Sequence, residues 1–158
     1  MRSFVLAAAT LLVGLSAGVF FAYSTSVMLA LHKLEDRTFI DVMQKINTSI
    51  LNGWFLTVFV GALIAAIVAV LVHLQGGHRG PLPWLIAAAA LYAVTFVVTM
   101  ALNVPMNDQL NAAGPVAAIA DPAAVRRVFE GPWVGWNLVR TVSSAGSLLA
   151  MAVALLKA

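Results

Sequence analysis

Four runs of apolar residues, each long enough to cross a bilayer, constrain this chain more than any other feature. They cover roughly 4–31, 50–74, 84–102 and 137–156, and a membrane-spanning helix needs about 20 such residues. A backbone surrounded by hydrocarbon must satisfy its own hydrogen bonds, so runs of this length fold as helices. The expected fold is all-α: a four-helix transmembrane bundle of up-down topology, one domain over residues 1–158, with both termini on the same side. The composition agrees. Hydrophobic residues make up 62% of the chain and charged residues 9%, against roughly 25% charged in soluble domains.

Other classes fall away on composition. The nine basic residues are spread through the loops with no cluster and no interleaved aromatics, which excludes a nucleic-acid surface. With no cysteine there is no disulfide, thiolate nucleophile or thiolate metal site. Arg2 before an apolar run suggests a signal peptide, but the run to Leu31 far exceeds a signal's apolar core and reads as an uncleaved span.

Within the first span Gly14, Gly18, Ala22 and Ser26 form a small-residue seam, suited to packing or to a homo-oligomer contact. Tyr23, Ser24, Thr25 and Ser26 make its lower half rich in hydroxyls that can line a cavity or bond the backbone. Glu35 to Ser49 reads as a short amphipathic helix, with Phe39, Met43, Ile46 and Ile50 on one side and Asp36, Arg37, Asp41 and Lys45 largely on the other. Gln44, Thr48 and Asn52 form a second polar line with Asn47 beside it, either capping and solvated or facing a site. The second span has no charge between Phe55 and Val72. After it the Gly- and Pro-rich stretch Gln75 to Pro83 predicts a tight connection, with Trp84 as an interfacial anchor.

The third run ends in Asn103-Val104-Pro105-Met106-Asn107-Asp108. Pro105 has no amide hydrogen for the carbonyl of Ala101, which predicts a kink or a stop there, with Asn103 and Asn107 on one face. A longer loop follows, with a helical turn at Asp121-Pro122 where Asp121 caps. The fourth span opens with Trp133 to Arg140, placing Trp136, Asn137 and Arg140 on one helical face that continues to Thr141, Ser144 and Ser147. A cation facing hydrocarbon costs on the order of 3 kcal/mol. Arg140 therefore either snorkels to the headgroups, with Trp133 and Trp136 in the aromatic belt, or points inward to a site. In the up-down bundle Gln44, Asn47, Asn103, Asn107, Asp108, Trp136, Asn137 and Arg140 gather at one end, from separate segments.

Those segments also carry a resemblance. Gly18-x-Phe20-Phe21-x-x-Ser24, Met43-Gln44-x-x-Asn47, Asn103-Val104-Pro105-Met106-Asn107-Asp108 and Trp136-Asn137-x-x-Arg140-Thr141 together resemble the anthrone oxygenase-like family of small integral membrane proteins. Some fungal members of that family oxidise anthrones to anthraquinones with molecular oxygen and no known cofactor. Many bacterial relatives have no known substrate. The resemblance implies a small lipophilic or aromatic substrate, and a location in the bacterial cytoplasmic membrane. Such a step needs a base, a donor for the oxyanion and a dry cavity. On that reading Arg140, Asn137 and Asn107 hold the oxyanion, Asp108 or His32 acts as base, and Trp136 stacks on the substrate beside Asn103, Gln44, Asn47 and Tyr23.

Two competing readings remain. A metal site would need His32 and Asp108 with a third ligand, because His73 and His78 belong to the opposite end of the bundle and no two-His helical spacing is present. A non-enzymatic protein that grips a lipid, a quinone or a partner helix uses the same polar end. Transport lacks its usual signature, since no internal repeat and no mid-membrane break is visible. Lys33, Arg37, Lys45, Arg126 and Arg127 in the first and third loops favour those loops inside, whereas Arg2 argues the other way.

Overall fold

The computed structural model describes residues 2–75 and 79–158. His78 lies outside the described residues. Four helices are long and apolar enough to cross a membrane: α1 Arg2–Leu31, α3 Gly53–Gln75, α4 Leu82–Ala112 and α5 Pro122–Leu156. The amphipathic helix α2, Asp36–Ser49, lies between the first two. Each long helix packs on the next, and α5 closes the ring against α1. The up-down bundle expected from the four apolar runs is the observed fold.

The helix ends follow local chemistry. Glu35 is extended and ends the α1 connection before α2 begins. Asn52 caps α3 by accepting from the amide of Phe55 at 3.0 Å. Asp121 caps α5 by accepting from the amide of Ala124 at 3.0 Å, with Pro122 in the first turn, as the sequence predicts.

Two boundaries differ from expectation. The third span does not stop near Leu102; it continues through Pro105 to Ala112. A wide π-type turn at Thr99–Asn103 absorbs the amide that Pro105 lacks, with the amide of Val104 donating to the carbonyl of Thr99. The fourth span begins at Pro122 rather than near Asn137, so the helical turn at Asp121 is the start of the last helix and Pro132 sits inside it. A second wide turn, Tyr23–Val27, interrupts α1 at the same end of the bundle.

Small residues set the helix spacing. Ala62, Ala66 and Ala69 of α3 are fully buried, and a methyl group added at Gly14 would meet Leu148 of α5 at 3.4 Å. Gly14 is thus used within the chain. Gly18 faces open space. Polar side chains tie the helices together at depth: the Tyr92 hydroxyl donates to the Phe59 carbonyl at 3.0 Å and is hydrogen-bonded to the Ser16 hydroxyl at 2.7 Å, and Ser147 donates to the Ala88 carbonyl at 2.8 Å. Leu11, Ile64, Val97, Val142 and Leu149 point outward and form the apolar exterior that lipid covers.

Two apolar clusters stack along the bundle. The larger is built from α1, α3, α4 and α5 around Phe59 and Tyr92. The smaller gathers Met28, Phe39, Met43, Leu110, Phe129 and Trp133, with α2 as its cover. The candidate site lies where the two meet.

Candidate functional site

Arg140 is 5% exposed, well inside α5. It stands 16 residues before Leu156, about 24 Å along the helix, so in a hydrocarbon core about 30 Å thick it lies below one surface rather than beyond it. The guanidinium carbon is 4.6 Å from the ring centre of Phe20 and 5.1 Å from that of Trp133. Each such contact contributes about 2 kcal/mol when water is excluded. Nη2 donates to Asn137 Oδ1 at 2.8 Å, while Nε is buried without a partner. Among the described residues the ion pairs belong to His32, Lys45 and Arg126, and none reaches Arg140. A buried charge without a counter-charge costs several kcal/mol, against which only the two ring faces and the one amide act.

The two wide turns position this group. Asn137 donates to Ser24 Oγ at 2.8 Å and to the Phe20 carbonyl at 3.2 Å, and Thr141 donates to the same carbonyl at 3.0 Å. These bonds fasten the turn of α1 to the inward face of α5. From the other side Asn103, within the turn of α4, donates to the carbonyl of Trp133 at 3.3 Å; its own Oδ1 is buried and unpartnered. Trp133 Nε1 donates to Asn107 Oδ1 at 2.8 Å, and the ring of Tyr23 tilts against the indole at 5.7 Å.

Arg140 lines a cavity of about 100 Å³. Val19, Phe20 and Tyr23 of α1 form one wall, and Met43, Ile46 and Asn47 of α2 form the cover. Ile50, Leu51 and Phe55 stand at the corner into α3, with Thr99, Val104, Asn107, Asp108 and Asn111 of α4 opposite. Asn47 donates to Asn111 Oδ1 at 3.5 Å, a long contact between cover and wall.

Of the residues expected at the site, Tyr23, Asn47, Asn107, Asp108 and Arg140 line this cavity. Asn137 holds Arg140 from behind, and Asn103 supports Trp133. The other three are elsewhere. Trp136 is 39% exposed and does not line the cavity, because it lies about 60° round the helix from Trp133 at 3.6 residues per turn. Gln44 donates to the carbonyls of Leu110 at 2.9 Å and Gly114 at 3.1 Å, closing the end of α4. His32 is exposed and pairs through Nδ1 with Glu130 at 2.7 Å. It belongs to an outer cluster in which Arg126 also meets Asp36 at 3.0 Å and Glu130 at 2.6 Å. His32 and Asp108 therefore do not share a place, and among the described residues no three His, Asp or Glu side chains are arranged to hold a metal ion. His73 is buried on α3 with Nδ1 against the carbonyl of Ala69 at 2.7 Å. Trp133 is the indole of the site, where the sequence expectation of an inward site names Trp136 and places Trp133 only in the alternative of an aromatic belt; its seven-residue spacing from Arg140, two helical turns, is the signal that places both on one face.

Four membrane-length helices around a cavity with a buried cation define a small integral membrane protein of the helical-bundle class. A family model described as anthrone oxygenase matches residues 54–150, more than half of the chain. The chain belongs to the anthrone oxygenase family. The match includes Asn103, Asn107, Trp133, Asn137 and Arg140, and it leaves α1 and α2 outside. Neither the curated proteins nor the solved structures contain a match.

Proposed function

We propose that the cavity binds an anthrone or a similar lipophilic aromatic ketone and supports its oxidation by molecular oxygen to the quinone. The observation that carries this reading is Arg140: a buried guanidinium that makes no ion pair among the described residues, flanked by two aromatic faces, in a mostly apolar cavity. Such a group stabilises an oxyanion far more than it would in water. Asp108, on the cavity wall, removes a proton from the methylene carbon opposite the ketone, and the resulting enolate oxygen faces Arg140. Phe20, Tyr23 and Trp133 pack on the ring system. The electron-rich anion passes an electron to oxygen, and the radical pair combines at the former methylene carbon. Protonation gives a hydroperoxide, which loses water to leave the second carbonyl. One oxygen atom enters the quinone and the other leaves as water, so anthrone and oxygen balance against anthraquinone and water.

The protein sits in this reading in a bacterial cytoplasmic membrane. The cavity end, with Lys33, Arg37, Lys45, Arg126 and Arg127, is cytoplasmic, and both termini are on the opposite side.

The test is oxygen consumption by purified, metal-stripped protein with an anthrone, compared with Arg140→Ala at matched folding. Turnover is expected to fall by about 100-fold or more, the scale of losing one oxyanion donor. Turnover no faster than the buffer rate in the unmodified protein overturns the assignment.

A further inference from the structure

The cavity holds a buried cation that pairs with no carboxylate among the described residues, Asp108 on the same wall included, and this holds whether or not the protein turns anything over. Arg140 is 95% withdrawn from solvent by its 5% exposure, its Nε has no partner, and Asn137 is the one hydrogen-bond acceptor it finds among the described residues. Phe20, Met43, Ile46, Ile50 and Phe55 make the adjoining wall hydrocarbon. At the corner beside α3 the lining residue Leu51 is 65% exposed, and nearby Trp54 is 87% exposed. An outward indole at the head of a membrane helix marks the headgroup level, so this corner opens at the bilayer surface.

We propose that the resting cavity binds a lipophilic monocarboxylate drawn from the membrane, its carboxylate against Arg140 and its chain leaving past Ile50 and Leu51. A carboxylate supplies the missing counter-charge, and its chain matches the apolar wall. A phospholipid carries glycerol and a second chain beside its phosphodiester, whereas a single-chain acid brings one carboxylate to the one buried cation past the corner at Ile50 and Leu51. This inference does not rest on the oxygenase reading.

The test leaves Trp133 as the sole indole by replacing Trp54, Trp84 and Trp136 with phenylalanine, and reads its fluorescence in a neutral detergent. Titration with α-bromododecanoate, whose bromine adjoins the carboxylate, is expected to give saturable quenching. The ω-bromo isomer should bind and quench far less, placing the head at Arg140. The methyl ester of the α-bromo acid should require at least about tenfold higher concentration, and so should the acid with Arg140→Gln, the scale of one lost charge-assisted bond. Equal midpoints for acid and ester overturn the proposal on the Arg140 protein itself, even if the variant fails to fold. Displacement of the acid by phosphatidylglycerol but not by unbrominated dodecanoate also overturns it, as does saturable quenching by iodide alone. Because the readout is binding, failure of anthrone turnover leaves it standing.

Discussion

Arg140 and Asn137 are joined by a 2.8 Å hydrogen bond from Nη2 to Oδ1, and the amide that receives it donates in turn to Ser24 and to the Phe20 carbonyl of α1. The guanidinium is therefore aimed by a neutral group. Asn137→Asp puts a carboxylate at the same distance and gives Arg140 an internal counter-charge. Anion binding in the cavity is expected to weaken by about tenfold or more, and with it any turnover, while Asn137→Ser, which keeps the site cationic, retains more of both. Titration of the two variants with the same anionic ligand separates them. Equal affinity would show that the cation's lack of a partner does not matter.

Trp133 and Trp136 make a paired prediction. Trp133 is 4% exposed, donates to Asn107 and faces Arg140. Trp133→Phe keeps a ring but leaves Asn107 Oδ1 without its donor, which costs about 1–3 kcal/mol. Trp136→Phe alters an outward ring and is expected to change stability by less than about 0.5 kcal/mol. Thermal melting in one detergent checks both, and a larger loss at Trp136 would contradict the placement of the two indoles.

That pair also marks what was legible in the sequence. The four spans were, because hydrocarbon leaves a long apolar run few alternatives to a helix. So was the gathering of Asn47, Asn107, Asp108 and Arg140 at one end, since alternating direction fixes which ends meet. Which of two indoles turns inward was not: Trp133 and Trp136 both lie near the face of Arg140, and the packing of α1 and α4 decides between them. Pro105 left a kink and a stop both open for a related reason. It removes one amide, but a wide turn at Thr99–Asn103 takes up the deficit and the helix carries on. That longer helix then recruits Gln44 to its terminal carbonyls, a role invisible without the extra length of α4.

The small-residue seam of α1 divides between inside and outside. A methyl at Gly14 already reaches Leu148 at 3.4 Å, whereas nothing lies within 4 Å of one at Gly18. Gly14→Val is expected to force α1 and α5 apart at about 1–3 kcal/mol. Gly18→Val should leave the fold intact. Melting of the two variants tests this, and a size comparison in detergent reads any contact between copies, which would have to use Gly18 and Ala22 without Gly14.

Arg126 controls how firmly the cover is seated. It donates to the carbonyls of Leu34 at 2.7 Å and His32 at 2.8 Å, to Asp36 at 3.0 Å and to Glu130 at 2.6 Å, and lies 4.5 Å from the ring centre of Phe39. One side chain thus joins the end of α1, the start of α2 and the first turns of α5. Arg126→Ala strands Glu130 with His32 as its remaining partner and frees two carbonyls, a loss of about 3 kcal/mol or more. Because Met43, Ile46 and Asn47 of the same α2 close the cavity, the loss should also appear at the site. In the protein whose sole indole is Trp133, quenching by acrylamide is expected to rise in Arg126→Ala below its melting temperature. Unchanged quenching alongside reduced stability would mean that α2 is held over the cavity by its apolar face alone.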